Sequence, residues 1–394
     1  MDRVILFEPG DICHNSLGYW TNLLADIFTE MKIEAIRFRL TDDPDQMKRD
    51  MESILAGNQV KAALMFNASP GFVLFAELFR EYKVSFYNYI VDHPLFHHRS
   101  LANAFEGYNV ICMDADHQKF VENYYPGVNK VFFLPLAGME GNSGKQDLTA
   151  FIKRPYDIIF TGNLNDTDHM INNLANYPQD HRDLYMKWIE YMLLNAHLSP
   201  EEALQKMIED AGGAFSKEQF LGLALNLKEA VVFVRNYIRE EVISSLLEND
   251  IPIHIFGSGW DKLKQKYPDK EALFHGDVSI DQTIRLNGES KMVLNILPWF
   301  RAGSHDRIIT AQLNGAAVLT DANGYLETQY TDRESIYYFG NDSTKDLPQL
   351  VEGILSDPES IYQTSLGGME IARRDMTWGA LAERLAKNVF FAKE

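Results

Sequence analysis

The residues best suited to chemistry fall in the stretch Leu294 to Asp321, LNILPWFRAGSHDRIITAQLNGAAVLTD. An apolar run read as a buried strand ends at Pro298, and a loop containing Gly303 follows. Ser304 or His305 then stands where a helix N-cap belongs, ahead of apolar residues at helical spacing. A helix starting there points its unpaired amides and positive dipole end outward, which is how many proteins hold phosphate groups. Arg307, in the first turn, can add a charge-assisted hydrogen bond to the same anion. Each feature also has a plain structural reading: Ser304 as a cap, Asp306 as a first-turn acid, Arg307 as a solvated side chain. The helix ends at Asn314-Gly315, and the strand Ala316 to Thr320 delivers Asp321 to a C-terminal strand edge.

Other loops repeat the theme. The run Ile251 to Phe256 leads into Gly257-Ser258-Gly259-Trp260, where glycines allow a backbone to approach a ligand closely and Trp260 can wall a base or sugar. Tyr156 to Phe160 leads into Thr161-Gly162-Asn163. Glycine after a strand is ordinary turn chemistry; three such loops in one domain are a pattern. Toward the N-terminus, Val84 to Val91 ends at Asp92-His93-Pro94. An acid at that position suits a general base, and His93, titrating near neutrality, suits the same task. Asp92 reads equally as a turn acid before X-Pro, and His97 and His98 as solvated surface histidines with no metal-ligand geometry. The loop Glu8-Pro9-Gly10, continuing through Asp11 and His14, does not spell the dinucleotide fingerprint.

Strands must bring these loops to one edge. Short β-rich runs alternate with helix-length amphipathic stretches, which predicts doubly wound parallel sheets. In residues 1–137 strands are expected at Val4 to Phe7, Ala35 to Leu40, Ala62 to Phe66, Val84 to Val91, Val110 to Met113 and Val131 to Leu134. Helices are expected between them at Tyr19 to Lys32, Pro44 to Ala56, Phe72 to Tyr82, Phe96 to Phe105 and His117 to Tyr125. A polar, Gly-rich linker follows within 138–154, and a second α/β domain spans 155–375, its strands being Tyr156 to Phe160, Ile251 to Phe256, Ala272 to His275, Met292 to Ile296 and Ala316 to Thr320. Helices Asp281 to Glu289 and Asp306 to Leu313 belong to it. From about 166 to 249 only helical patterns occur, at Leu184 to Leu194, Glu201 to Ala211 and Lys217 to Leu247 with a break. This insert reads as a scaffold bundle. The C-terminal helix near 376–394 is expected to return to the first domain.

Composition limits the partners. The 394 residues carry 37 Lys+Arg against 56 Asp+Glu, a formal net charge of −19, which disfavours nucleic acid and anionic membranes as partners. An anionic ligand must be held by local devices. Two cysteines, Cys13 and Cys112, make no disulfide framework and show no metal spacing. No apolar run reaches the roughly 20 residues of a spanning helix and none resembles a signal peptide, so the expectation is a cytoplasmic protein with no transmembrane segment.

The succession F-T-G-N-L, I-F-G-S-G-W, H-G-D-V-S-I-D-Q, L-N-I-L-P…G-S-H-D-R and A-Q-L-N-G-A-A-V-L-T-D resembles the nucleotide-sugar-binding half of GT-B glycosyltransferases. Within them it is most similar to the group 1 set typified by spore-maturation CgeB-like proteins, in which a G-x-H-D-R segment opens the equivalent helix. The likeness is specific over about 251–321 and architectural over 1–135. It implies an α/β fold of two Rossmann-like domains in a GT-B arrangement with a helical insert in the second. It also implies transfer of a sugar from a nucleotide diphosphate donor to an unknown acceptor (glycan, protein or small molecule), with no cofactor and no metal. Gly162, Asn163, Gly257, Gly259, Trp260, Ser304, His305, Asp306, Arg307 and Thr310 become donor-site candidates, and the first domain faces the acceptor; if transfer inverts, Asp92 or His93 is the base, and if it retains, the acceptor proton passes to the leaving phosphate and no such base is required. Related enzymes carry Glu in an E-A-L-A-x-G pattern to hold ribose hydroxyls; Thr310 stands there in this chain, and its hydroxyl lacks charge assistance. A non-catalytic nucleotide-sugar-binding protein and a nucleotide-sugar epimerase are the alternative functions.

Overall fold

The computed structural model describes residues 2–9, 16–141, 147–297, 300–340 and 344–392. Gly10, Asp11, Cys13 and His14 of the first loop, residues 142–146 of the expected linker, and Pro298 lie outside the described residues. The chain divides into two compact units, residues 1–137 with 376–394, and residues 138–375.

The first unit is built on a six-stranded parallel sheet of order β2-β1-β3-β4-β5-β6. Its strands are β1 (Arg3–Glu8), β2 (Glu34–Arg39), β3 (Ala62–Phe66), β4 (Ser85–Ile90), β5 (Tyr108–Cys112) and β6 (Val131–Phe133). β3 and β5 are buried along their whole length, as strands covered on both faces must be; β3 therefore reads as an unbroken apolar run, and the one polar residue of β5, Asn109, donates to the Phe86 and Gly107 carbonyls. Two expected helices are each split. Pro70–Phe75 and Pro94–His97 are 3₁₀ turns that precede the short helices Ala76–Glu81 and His98–Ala102; each proline opens a tighter turn than the apolar spacing suggested. The C-terminal segment completes this unit. Trp378 lies 6.2 Å from Trp20, ring centre to ring centre, and Tyr87 Oη donates to the Val389 carbonyl at 2.9 Å.

The second unit has five parallel strands in the order β11-β10-β9-β7-β8. They are β7 (Tyr156–Thr161), β8 (Ile253–Phe256), β9 (Ser290–Asn295), β10 (Ala317–Asp321) and β11 (Tyr337–Phe339). The strand expected at Ala272 to His275 does not form. Residues Pro268–Leu273 make a 3₁₀ turn, and a single bridge pairs Phe274 with Ile255; so short an apolar run carries no periodicity to distinguish the two. The insert contains Thr167–Asn173, Gln179–Leu194, Pro200–Asp210, Lys217–Leu227 and Glu229–Glu248. Ser199 with Glu202 and Ser216 with Gln219 close capping boxes on two of these helices. The last insert helix is part of the sheet's own core, since its Val242, Ile243, Leu246 and Leu247 pack in one cluster with residues of β7, β8 and β9.

One consequence of strand order positions the site. β7 pairs with β8 on one side and with β9 on the other, so the connections leaving β7 and β9 diverge. Ligands of open α/β sheets bind at such a switch point, outside the carboxyl ends of the strands.

Candidate active site

At the switch point the loops after β7 and β8 are laced together. Gly162 N–H donates to the Phe256 carbonyl at 2.8 Å and Leu164 N–H to the Ser258 carbonyl at 3.0 Å. Ser258 N–H donates to Asn163 Oδ1 at 3.0 Å, and Trp260 Nε1–H to the Gly162 carbonyl at 2.9 Å. The lacing explains the glycines. A Cβ on Gly257 (φ +140°) would stand 2.3 Å from the Gly162 oxygen, and one on Gly259 (φ +83°) 1.8 Å from the Leu164 oxygen. The close approach anticipated for a ligand is thus made by a neighbouring backbone. Trp260, expected as a wall for a base or sugar, is 4% exposed and packs edge-on against Phe160; its role is to join the two loops.

Arginines converge beside this platform. Arg307 Nη1 donates to Asn295 Oδ1 at 2.8 Å, its guanidinium lies 5.8 Å from the centre of the Phe160 ring, and a Cβ on Gly162 would stand 3.7 Å from its Nη2. Asn295 is fully buried at the end of β9 and donates to Thr320 Oγ1 at 2.9 Å, so Arg307 is held by the sheet. Arg239, on the helix Glu229–Glu248, donates from Nη1 to the Asn163 carbonyl at 2.9 Å. Burial and the neighbouring Arg307 and Arg235 push the Arg239 guanidinium well below its ordinary pKa. Burial likewise lowers Arg307, with Asp306 opposing and Arg235 adding to the shift. Arg235 and Arg239, spaced i, i+4 on one helix, escaped the sequence reading. Like charges at that spacing disfavour a helix, and that unfavourable pairing was the available signal.

The helix expected at Asp306 to Leu313 forms there, and His305 rather than Ser304 is its cap. His305 Nδ1 accepts from the Arg307 N–H at 3.2 Å, which is the cap, and lies 2.7 Å from Asp306 Oδ1. Burial works to raise the Asp306 carboxyl, but His305 and Arg307 outweigh it and hold the group below the usual carboxylate range. Ser304 is buried. The loop before the helix is tied down by the next strand: Leu297 N–H donates to Asp321 Oδ1 at 2.7 Å, and Asn323 Nδ2 to the carbonyls of Phe300 and Gly303. Thr310 is turned inward. It is 2% exposed and its Oγ1 accepts from Met139 N–H at 3.1 Å, while Asn314 bonds Met139 and Gly141. The Thr310 hydroxyl, a candidate for the ribose, is engaged by Met139, and residues 138–141 are docked on the helix instead of spanning freely as a linker.

In the first unit Asp92 follows β4, and its side chain is 46% exposed. Asn67 Nδ2 donates to Asp92 Oδ2 at 3.0 Å. His93 is 2% exposed, its Nδ1 accepts from Leu95 N–H at 3.1 Å, and its ring meets those of His117 and Phe120. Of the two expected bases, Asp92 alone presents a substantial exposed surface. His97 is not solvated, its side chain being 13% exposed, and His98 is half-buried with Nδ1 3.1 Å from Tyr125 Oη. Among the described residues no group of three or more His, Cys, Asp or Glu is arranged to hold a metal, and no helix is long and apolar enough to cross a membrane.

Comparison with known proteins agrees with this architecture. Residues 235–387 match the family model described as "Glycosyl transferase-like". No curated protein matches the sequence. Among solved structures, the chain is similar to sucrose-phosphate synthase from Thermosynechococcus elongatus at 10% identity, 98% coverage of each chain and a TM-score of 0.55. It is similar to HepE of Anabaena in complex with UDP and glucose at 9% identity, 98% coverage of each chain and a TM-score of 0.54. A glycosyltransferase from Rickettsia africae gives 8% identity, coverage of 97% and 96%, and a TM-score of 0.51. At these identities the likeness to the structures establishes the fold, and the family match supplies the activity class: the chain is a glycosyltransferase of GT-B fold.

Proposed function

We propose that the second unit binds the diphosphate of a nucleotide sugar at the β7–β9 switch point, and that the sugar passes to an acceptor hydroxyl. The observation that carries this reading is the grouping of Arg235, Arg239 and Arg307 beside the first turn of the helix Asp306–Leu313. Gathering half-buried guanidinium groups is costly, and a ligand with two or more negative charges repays that cost. In the reaction the C–O bond to the phosphate breaks, and the negative charge left on the diphosphate is stabilised by Arg239, Arg307 and the amides at the helix start. Asp92, in the first unit, is the proposed base. Gly162, Asn163, Gly257, Gly259 and Trp260 build the floor, and His305 and Asp306 orient the helix start. The G-S-H-D-R segment supports kinship with the CgeB-like proteins.

HepE is seen with UDP and glucose, which makes UDP the first nucleotide to try. Calorimetry should show UDP binding to the wild-type protein, weakened roughly tenfold or more in Arg307→Ala and in Arg239→Gln, as expected when a charge-assisted hydrogen bond worth about 1.5–3 kcal/mol is lost. Equal affinity in all three proteins for UDP, GDP and ADP would remove the site.

A further inference from the structure

Asn67 follows β3 with a positive φ of 51°, a conformation that asparagine tolerates better than most residues but still at a cost. The turn aims its side chain at the neighbouring strand end. Asn67 Nδ2 donates to Asp92 Oδ2, Asn67 Oδ1 accepts from Val91 N–H, and Asn67 N–H donates to the Tyr89 carbonyl, each at 3.0 Å. A single strained residue thereby fixes residues 89–92. Beside the same carboxylate lies His97, whose Nε2 is 4.0 Å from Asp92 Oδ2. That nitrogen is buried and has no hydrogen-bond partner, which is expensive for a polar atom unless it is used.

We infer that Asn67, Asp92 and His97 form one proton-handling unit, in which Asp92 takes the proton of the acceptor hydroxyl and Asn67 and His97 are its positioning residues. The inference rests on the reading of Asp92 as the base. As the acceptor O–H bond breaks, its proton passes to Asp92 and its electron pair forms the new bond to the anomeric carbon. The anomeric C–O bond to the diphosphate breaks and the phosphate oxygen keeps those electrons. His97, with its proton on Nε2, closes on Asp92 Oδ2 opposite Asn67, which leaves Oδ1 for the acceptor. The charged and titratable groups that bear on His97 are Asp92 and His93, the latter in ring contact with His117. Burial depresses the His97 pKa and Asp92 works against that depression.

Histidine C2–H resonances followed against pH in the full-length protein test the pairing without reference to activity. The His97 midpoint should lie below the ordinary histidine value, and should fall further in Asp92→Asn, which removes the group favouring its charged form. An unchanged midpoint in Asp92→Asn overturns the unit. Release of UDP from UDP-glucose gives the second reading. His97→Ala should lower kcat by roughly tenfold or more, against the roughly 10²–10⁴ that loss of a general base costs in Asp92→Asn. Donor KM should be unchanged, and His97→Gln, which keeps an N–H donor, should recover part of the loss. Wild-type kcat in His97→Ala overturns the inference. If the wild-type protein neither binds UDP nor turns over UDP-glucose, the proposed donor reading fails, and the imidazole titration still decides the pairing.

Discussion

Arg239 Nη1 donates to the carbonyl oxygen of Asn163 at 2.9 Å, so the last helix of the insert is bonded to the loop that follows β7. The insert therefore does more than support the sheet. Arg239 Nε is buried and has no hydrogen-bond partner, so the planar group is held beside the loop at a cost that an anionic ligand would offset. A lysine keeps the charge but offers a single ammonium in place of a planar fork. Arg239→Lys should consequently bind UDP roughly tenfold more weakly by calorimetry while unfolding in urea as the wild type does. Unaltered UDP affinity would show that the fork is not used.

The two glycine loops make a sharper comparison. Gly259 has φ +83° and a Cβ there would meet the Leu164 oxygen at 1.8 Å, whereas Gly162 lies outside the left-handed region and its nearest neighbours are Phe160 ring atoms at 3.1 Å. Backbone cannot retreat as a ring edge can. Gly259→Ala should cost more than about 2 kcal/mol in urea unfolding and abolish UDP binding, and Gly162→Ala should cost under about 1 kcal/mol. Equal costs would contradict the lacing of the loops.

How far the sequence could be read follows from these residues. The parallel strands were legible because both faces of each sheet are covered, which leaves apolar runs such as Ala62–Phe66 and the Ala317-Val318-Leu319 start of β10. The glycines were legible as special backbone positions, but a glycine does not announce what comes close to it; at Gly257 and Gly259 it is protein, and at Trp260 the indole N–H is spent on the Gly162 carbonyl. Arg307 was recognised because the helix start is local. Arg239 was not, because its partner Asn163 lies 76 residues earlier, across an insert that no short-range pattern spans. Asn67 was missed for the same reason: its meaning depends on the parallel neighbours β3 and β4, which bring it beside Asp92; His97, only five residues from Asp92, was read as a solvated histidine because residue type and spacing do not reveal its burial.

Thr310 supplies the third prediction. Its hydroxyl seats Met139 N–H inside the second unit, and a Cβ on Gly138 would come within 2.6 Å of the Ile309 and Thr310 backbone. Replacing Thr310 with the family's glutamate puts a carboxylate into a site that is 2% exposed, where burial disfavours its charged form. Thr310→Glu should lower stability by about 2 kcal/mol or more in urea unfolding without raising UDP affinity. Tighter UDP binding in Thr310→Glu would show that the position faces the ribose after all.

The fourth prediction concerns pH. His254 Nδ1 and His275 Nε2 are 2.8 Å apart with the rings stacked beside Tyr156 and Phe256. One of the two nitrogens must accept, so the contact survives only while that ring nitrogen is unprotonated. Burial lowers the pKa of both, and the second imidazole lowers His254 further while Asp157 opposes. Below the ordinary histidine pKa of about 6.5 the unfolded chain binds more protons than the folded one. Stability from this pair is therefore complete above that value and declines as pH falls toward the depressed folded values. Urea unfolding measured between about pH 7.5 and 5.5 should show stability falling with pH in the wild type and a shallower fall in His254→Gln/His275→Gln, with any remaining slope carried by groups such as His97. An identical slope in the double variant would mean that the pair titrates alike in the folded and unfolded chains.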